Sequence, residues 1–344
     1  MIEIISGNLL EAPVEALVNT VNCVGVMGKG IALQFKQAHP KNYDFYRAAC
    51  ERGEVRLGEM LVYDNGQMVN PRYIINFPTK NHWKEKSRLS DVELGLGALV
   101  KEVQQRNITS IAIPPLGAGS GGLDWEDVRP RLIKAFESLG NVRVLLYTPQ
   151  GSPDAERMKV ATTRPNMTPG RAILIALFEN YVEPMYRFTM LEVQKIAYFA
   201  QVAGEPLNLA FSKHHYGPYT ETLNHVLQRM EGHFIRGYGD RSRRGTTIRL
   251  MPGVAQEARQ FLQSQPDSLA RLNRVAQLIN GYETPYGMEL LATVHWVAQE
   301  NASAKENPET TITEVQAWSK RKREYFQPAH INLAWQRLRE QGWI

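Results

Sequence analysis

The chain has 344 residues, 43% of them hydrophobic, and a net charge of +5, which predicts two domains that each bury a core. Two cysteines, Cys23 and Cys50, exclude a disulfide framework and favour a reducing, cytoplasmic location. There is no zinc-spaced cluster, no apolar run of membrane-spanning length and no expected signal peptide in "MIEIISGNLLEA". We therefore expect no metal, no cofactor and no membrane partner.

The charge is unevenly distributed. Residues 1–155 contain 17 Lys and Arg against 17 Asp and Glu, so the remainder of the totals of 40 and 35 is 23 against 18. The first part is neutral and the second part carries the +5. Such an excess indicates a nucleic-acid partner only weakly and is also typical of an ordinary protein surface.

Residues 1–150 alternate between strand and helix patterns. The chain runs from strands "MIEIIS" and "VEALVNTVN" to helices "KGIALQFKQAHP" and "KNYDFYRAACERG", then to strands "MLVYDNG" and "YIINFP" around Asn65-Gly66. Helix "LSDVELGLGALVKEVQQRN", capped by Ser90 or Asp91, strand "SIAIP", helix "WEDVRPRLIKAFESLG" and strand "VRVLLYTP" follow. This order predicts an α/β domain with a mixed, largely parallel sheet between helices.

The segment 151–168 has no periodicity, and we place a linker at 156–166 between domains 1–155 and 167–344. The second domain is predicted to be mainly α-helical. Its helices are "PGRAILIALFENYV", "MLEVQKIAYFAQVAG", "TETLNHVLQRMEG", "PGVAQEARQFLQS", "DSLARLNRVAQLINGY" and "INLAWQRLREQGWI", with one strand, "TTIRLMP".

Two loops that follow predicted strands are rich in glycine: "NCVGVMGKGIA" at 22–32 and "PPLGAGSGGLDW" at 114–125. Such loops present backbone N–H groups and a helix N-terminus to phosphate oxygens. Neither loop has Walker spacing, and neither matches a dinucleotide-binding GxGxxG in its context. Tight packing turns are the alternative, but two such loops in one α/β domain favour a diphosphate ligand.

These loops, with "SGNLLEAPVEALVNTVN" before them, resemble those of macrodomains, which bind ADP-ribose. The segment "INFPTKNHWKEKS" narrows the resemblance to the branch of terminal ADP-ribose glycohydrolases, and within it to the DarG group of DNA ADP-ribosyl glycohydrolase antitoxins. The resemblance covers residues 1–150. It implies an enzyme that removes ADP-ribose from thymidine in single-stranded DNA.

The resemblance also implies a set of ligand contacts. Gly7, Asn8 and Leu9 would meet the adenosine, and Asn22 would bind the distal ribose, although a turn role for Asn22 is the alternative. Many macrodomains have Asp at the position of Asn8. The loops would clamp the diphosphate through Gly25, Val26, Met27, Gly28, Lys29, Gly30, Leu116, Gly117, Ala118, Gly119, Ser120, Gly121, Gly122 and Leu123.

Lys80 is the candidate catalytic residue. A lysine whose pKa is lowered by burial can attack an anomeric carbon, orient water or protonate a leaving nitrogen. The sequence leaves these roles open, and without the resemblance an exposed lysine at a strand end would be the preferred reading. Terminal ADP-ribose glycohydrolases carry an acidic residue that partners this lysine. Alignment on Trp125 puts that position at Gly121, and Asp124 lies too far along.

His82 and Trp83 are candidate DNA contacts, because a tryptophan beside a cleft can stack on an unpaired base. The alternative is that Trp83 packs in the hydrophobic core, which is more common for tryptophan side chains. The paired histidines in "KHHYGPY" lack the further ligands that a metal site needs.

The second half is similar, over residues 165–260, to the SocA-like antitoxin domain also called Panacea. The similarity rests on "QKIAYFAQ" and on "YGPY", with Tyr216 and Pro218. It implies a helical module that binds a cognate, DarT-like DNA ADP-ribosyltransferase toxin. The alternatives for the whole chain are a non-catalytic reader of ADP-ribose and a hydrolase of ADP-ribose esters on protein carboxylates.

Overall fold

A computed structural model describes residues 1–66, 69–149, 153–179, 187–242 and 245–344. The chain forms two compact units, one of Met1–Thr163 with Gly239–Arg244 and one of Arg164–Tyr238 with Gly245–Ile344. Residues 151–152 of the predicted interdomain segment and the last three residues of the helix predicted at 169–182 lie outside the described residues.

The first unit is built on a six-stranded sheet of order β1-β6-β5-β2-β4-β3. Every neighbouring pair is parallel except β3 and β4, which pair antiparallel. The strands are β1 (Ile2–Ile5), β2 (Ala16–Asn22), β3 (Leu61–Asp64), β4 (Tyr73–Lys80), β5 (Ser110–Ile113) and β6 (Arg143–Tyr147).

Helices cover both faces of this sheet. Along β2, Ala16 and Val18 belong to one apolar cluster and Leu17 to another, as expected when successive side chains point to opposite faces. The first cluster includes residues of α3 (Leu89–Gln105) and α4 (Trp125–Phe136), and the second includes Phe35 of α1 (Gly30–Ala38). The predicted α/β fold is confirmed. The helices are α1 (Gly30–Ala38), α2 (Pro40–Glu51), α3 (Leu89–Gln105) and α4 (Trp125–Phe136).

One cap prediction was wrong. Helix α3 begins at Leu89 after Arg88, which is the extended N-cap residue and offers no side-chain hydrogen bond. Ser90 and Asp91 therefore lie inside the first turn, where the Asp91 carboxylate still complements the helix dipole.

Two distant segments complete the first unit. Residues after β6 form a short 3-10 helix, Ala155–Arg157, and the Ala161 N–H then donates to the Gln37 carbonyl at 2.8 Å. Asp240 belongs to the same unit, and its carbonyl accepts the Gly30 N–H at 2.8 Å. The Gln34 amide donates to Asp240 Oδ2 at 2.7 Å.

The second unit is mainly helical, as predicted. It also contains a three-stranded sheet of order β10-β11-β7 and the hairpin β8-β9. Its strands are β7 (Phe188–Thr189), β8 (Ser212–His214), β9 (Gly217–Tyr219), β10 (Ile235–Arg236) and β11 (Thr247–Leu250). Its helices are α5 (Pro169–Glu179), α6 (Met190–Val202), α7 (Leu223–Met230), α8 (Val254–Gln263), α9 (Pro266–Ile279), α10 (Pro285–Glu300), α11 (Ala302–Glu306), α12 (Pro308–Ala317), α13 (Lys320–Tyr325) and α14 (Pro328–Glu340).

A buried charged cluster lies among these helices. The Glu289 carboxylate accepts hydrogen bonds from Nη1 and Nη2 of Arg321, at 2.6 and 3.0 Å. It also accepts one from Lys322 Nζ at 2.9 Å. Lys195 of α6 donates to the Pro218 carbonyl at 2.7 Å. Burial and the neighbouring Lys322 charge lower the pKa of Lys195 to about 7.

Candidate active site

The carboxyl ends of three adjacent strands form the site edge. Strands β2 and β4 are neighbours, and Asn22 and Lys80 are register partners across them after a shift at Val21. Strand β5 lies on the other side of β2 and leads into the second glycine loop. The parallel sheet therefore brings Lys80, Asn22 and both glycine loops to one edge.

The Asn22 side chain organises the first glycine loop. Its Oδ1 accepts the N–H groups of Val24 and Val26 at 3.0 and 3.3 Å, and its Nδ2 donates to the Val26 carbonyl at 2.6 Å. The Tyr46 hydroxyl of α2 donates to the Asn22 carbonyl at 2.6 Å. These bonds match the turn role that the sequence left open. The ribose contact stays a prediction, for which one Nδ2 proton remains.

The backbone of this loop supplies donors for a ligand. Gly25 has a φ of +78°, a left-handed conformation that glycine adopts without strain. The Met27 side chain is buried, whereas Val24 and Val26 are exposed. In the part of the chain that the structure describes, the N–H groups of Met27, Gly28 and Lys29 have no acceptor. These three donors fit the predicted diphosphate contact, while the Gly30 N–H is already bound to Asp240.

The second glycine loop folds as consecutive turns. The Gly122 N–H donates to the Gly119 carbonyl at 3.1 Å, and the Leu123 N–H donates to the Gly117 carbonyl at 3.0 Å. Asp124 caps α4 by accepting the Glu126 N–H at 3.0 Å. Among the described residues, the N–H groups of Gly119, Ser120 and Gly121 have no acceptor. Successive free amides of this kind suit an anion.

Close packing explains why a glycine stands at position 121. A Cβ there would lie 2.4 Å from both the Gly117 carbonyl oxygen and the Ser87 hydroxyl oxygen. The Ser87 N–H also donates to the Gly121 carbonyl at 3.0 Å. An acidic side chain therefore has no room at position 121. Ser87 carried no sequence signal as a site residue, since it becomes a neighbour of Gly121 only through the fold.

Lys80 links three parts of the site. Its Nζ donates to the carbonyls of Glu85 and Ser120 at 3.1 and 3.3 Å, so it spans from β4 to the second glycine loop. Partial burial lowers the pKa of Lys80, against the opposing charge of Glu85. Among the described residues, no carboxylate lies within ion-pair distance of Lys80. An amine with two carbonyl acceptors and a lowered pKa can act as a nucleophile or a proton carrier.

The loop after Lys80 exposes an aromatic side chain. The Trp83 side chain is 49% exposed, which rules out the core alternative. His82 lies against it, with ring centroids 5.4 Å apart, and Lys84 Nζ lies 5.2 Å from the Trp83 centroid. A half-exposed indole is available to stack on an unpaired base, and the DNA contact of His82 and Trp83 stays a prediction.

The predicted adenosine contacts lie after β1. Asn8 caps a 3-10 helix, Leu9–Glu11, by accepting the Leu10 N–H, and its Nδ2 donates to Glu11 Oε1 at 3.0 Å. The Leu9 side chain belongs to the core, so only its backbone can face a ligand. Adenine binding here stays a prediction.

A buried amide network, which the sequence analysis did not predict, lies behind the site. Asn76 Oδ1 accepts from Asn19 and Asn42 at 3.1 and 3.2 Å, joining β2, β4 and α2 beneath the first loop. An isolated asparagine within each apolar strand, Asn19 in β2 and Asn76 in β4, was the signal that could have indicated it.

Neither cysteine offers a thiolate. Burial raises the pKa of Cys23 to about 11 and also raises that of Cys50. Among the described residues, no group of three or more His, Cys, Asp or Glu side chains could hold a metal ion. Within the same residues, no helix is both long enough and apolar enough to cross a membrane.

Residues 18–132 match the family model of the Macro domain. A DNA ADP-ribosyl glycohydrolase of Thermus aquaticus is 49% identical over 99% of this chain and 94% of its own length. The chain belongs to the DNA ADP-ribosyl glycohydrolase family. The predicted family and enzyme class are confirmed, and membership sets aside the non-catalytic reader.

Two further members of this family are similar to parts of the chain. A DNA ADP-ribosyl transferase–DNA ADP-ribosyl glycohydrolase fusion protein of Thermosipho africanus is 31% identical over 43% of this chain and 42% of its own. The solved macrodomain of Mycobacterium tuberculosis DarG is 55% identical, covering 44% of this chain and 99% of that one, with a TM-score of 0.43. The SocA-like resemblance of the second half stays a prediction.

Proposed function

We propose that the first unit hydrolyses the bond between ADP-ribose and thymidine in single-stranded DNA, with Lys80 as the catalytic residue. The observation that carries this is the position of Lys80 Nζ, between the end of β4 and the Ser120 carbonyl of the second glycine loop. A diphosphate held by the free amides of both loops would direct the attached ribose toward the neighbouring strand ends.

The missing loop acid fits this substrate. Hydrolysis breaks the bond between the anomeric carbon and the thymine nitrogen. The water hydroxyl goes to the carbon, and the proton goes to the nitrogen. A thymine imide anion is delocalised over two carbonyls, so it leaves with little help from an acid. The absence of room at Gly121 therefore suits a pyrimidine leaving group.

The DNA strand has a candidate contact beside the lysine. Trp83 is half-exposed three residues after Lys80, and Lys84 adds positive charge next to its ring. Stacking of an unpaired base on this indole would hold the modified strand at the site.

We also propose that the second unit binds the DNA ADP-ribosyltransferase toxin. Its extensive core supports a stable binding module, and a relative named as a fusion joins transferase and glycohydrolase in one chain. A full-length Lys80→Ala chain should then still co-purify with the toxin and slow DNA modification at excess. If it does neither, the capture role is wrong.

The catalytic proposal is tested with the full chain and an oligonucleotide ADP-ribosylated on thymidine. The wild-type chain should release free ADP-ribose, and Lys80→Ala should lower turnover at least ~100-fold. Calorimetric affinity for ADP-ribose should change less than ~3-fold, since the diphosphate donors lie on other loops. Lys101→Ala is the control, because that lysine is exposed on α3 and has no assigned contact to ADP-ribose or DNA. Equal losses of affinity and turnover would make Lys80 a ligand contact, and preferential cleavage of an ester substrate would move the activity to proteins.

A further inference from the structure

The second unit carries an exposed surface formed by residues 212–219, which contain the β8-β9 hairpin, and residues 318–325, which contain α13. It is here called the hairpin–α13 surface. The Trp318 indole N–H donates to the His214 carbonyl at 3.1 Å, and Lys213 Nζ lies 4.4 Å from the Trp318 centroid. The Arg321 guanidinium lies between the Tyr216 and Tyr325 rings, 4.7 and 4.5 Å from their centroids. These contacts hold the two elements side by side.

This surface has an excess of positive charge. Residues 212–219 and 318–325 contain five cationic residues, and Glu324 is the acidic residue of these segments. Lys322 is buried and, together with Arg321, pairs with the buried Glu289, so the exposed cations of this surface are Lys213, Lys320 and Arg323. The five cations are Lys213, Lys320, Arg321, Lys322 and Arg323. Among these cations that form ion pairs, Lys320 has the most exposed side chain, at 88%. Its Nζ lies 3.8 Å from Glu324 Oε1.

Aromatic rings are exposed among these charges. Tyr216 and Tyr325 are 45% and 42% exposed, and His214 and His215 are also exposed. Glu289 fixes Arg321 through both forks, and Arg321 in turn contacts both tyrosine rings. The rings are therefore held in place before any partner arrives, which lowers the entropy lost on binding.

We propose that the hairpin–α13 surface binds single-stranded DNA. Fixed ring faces beside exposed lysines match unstacked bases on a phosphate backbone, whereas a duplex hides its base faces. The proposal rests on the proposed function only in taking single-stranded DNA as the substrate. The surface would hold the strand independently of the ADP-ribose site.

The test measures fluorescence anisotropy of a labelled, unmodified 20-nucleotide oligothymidylate with the full chain, at several salt concentrations. Lys213→Glu with Lys320→Glu should weaken binding at least ~10-fold and reduce the salt slope by about 1.4, because each phosphate contact on a single strand contributes about 0.7. The matched control is Lys305→Glu with Lys101→Glu, two exposed lysines on α11 and α3. Tyr216→Ser should weaken oligothymidylate binding while leaving duplex binding unchanged.

Three outcomes would overturn the proposal. These are equal affinities of the control and surface variants, equal affinity for a duplex of the same length, and loss of toxin capture with unchanged oligothymidylate binding. The last would make the surface a protein-binding one. Because the probe carries no ADP-ribose, a chain without hydrolase activity would still give a clear binding result.

Discussion

Lys80 and Lys195 both have a lowered pKa, but their surroundings differ. Lys80 is partly exposed at a sheet edge, and its acceptors are the carbonyls of two loops. Lys195 is 1% exposed, lies near Lys322 and the Glu289 carboxylate, and donates to Pro218. The first unit keeps its amine where a substrate can reach it, while the second encloses its amine in the core. A lowered pKa alone therefore does not identify a catalytic lysine; access does.

The largest effect that separates the two regions should come from Glu289→Ala. This change leaves Lys322 and Arg321 without their carboxylate, and breaking a buried pair destabilises by about 3–5 kcal/mol. Urea unfolding followed by tryptophan fluorescence measures it, since four of the six tryptophans follow residue 290. Glu340→Ala, at an exposed position, is the control. At low urea, the affinity of the first unit for ADP-ribose should persist. A decrease in the free energy of unfolding below ~1 kcal/mol would show that the cluster contributes little to stability.

In the first unit, Gly121→Ala should destabilise through overpacking. The new methyl group would meet the Gly117 carbonyl and Ser87, so we expect a loss of about 1–3 kcal/mol and weaker ADP-ribose binding. Gly119→Ala is the matched control, because a Cβ there meets no atom within 4 Å. Thermal unfolding and calorimetry compare the two. Indistinguishable variants would mean that the loop moves freely away from Ser87.

Gly119→Glu tests the charge of the same loop without crowding it. The exposed carboxylate should repel the diphosphate and reduce ADP-ribose affinity at least ~10-fold, or ~1.4 kcal/mol. Gly119→Gln supplies similar size without charge, and calorimetric titration of both variants isolates the electrostatic part. Unchanged affinity in Gly119→Glu would place the diphosphate elsewhere.

The smallest expected effect is the pH dependence caused by Lys195. Its folded pKa of about 7 lies below the ordinary lysine value of 10.5, so above pH 7 the unfolded chain binds more protons than the folded chain. Stability of the second unit should therefore rise by about 1 kcal/mol between pH 7 and pH 8. Lys195→Met should flatten this slope, with Lys305→Met as the control. A slope unchanged by Lys195→Met would assign it to another group.

The sequence allowed prediction of the features that short segments encode. Strand–helix alternation predicted the α/β unit, and the two glycine loops after strands predicted a ligand site at the sheet edge, whereas Lys80 was chosen from the family resemblance. Helix α10 went unpredicted because it is buried on nearly every side, so its apolar residues show no amphipathic period. The partners Glu289 and Lys322 lie 33 residues apart, and Ser87 meets Gly121 only after folding. Pairing between distant residues leaves no local pattern.

The contact between Gln34 and Asp240 has a consequence for synthesis on the ribosome. The two residues are 206 positions apart, so all six strands and four helices of the first unit emerge long before Asp240. Until then the Gln34 amide and the first N–H of α1 lack the acceptors that Asp240 provides. A hydrogen bond contributes about 0.5–1.5 kcal/mol, and one to a charged acceptor about 1.5–3 kcal/mol. The nascent site domain should therefore reach its full stability only once the chain has grown well into its second half.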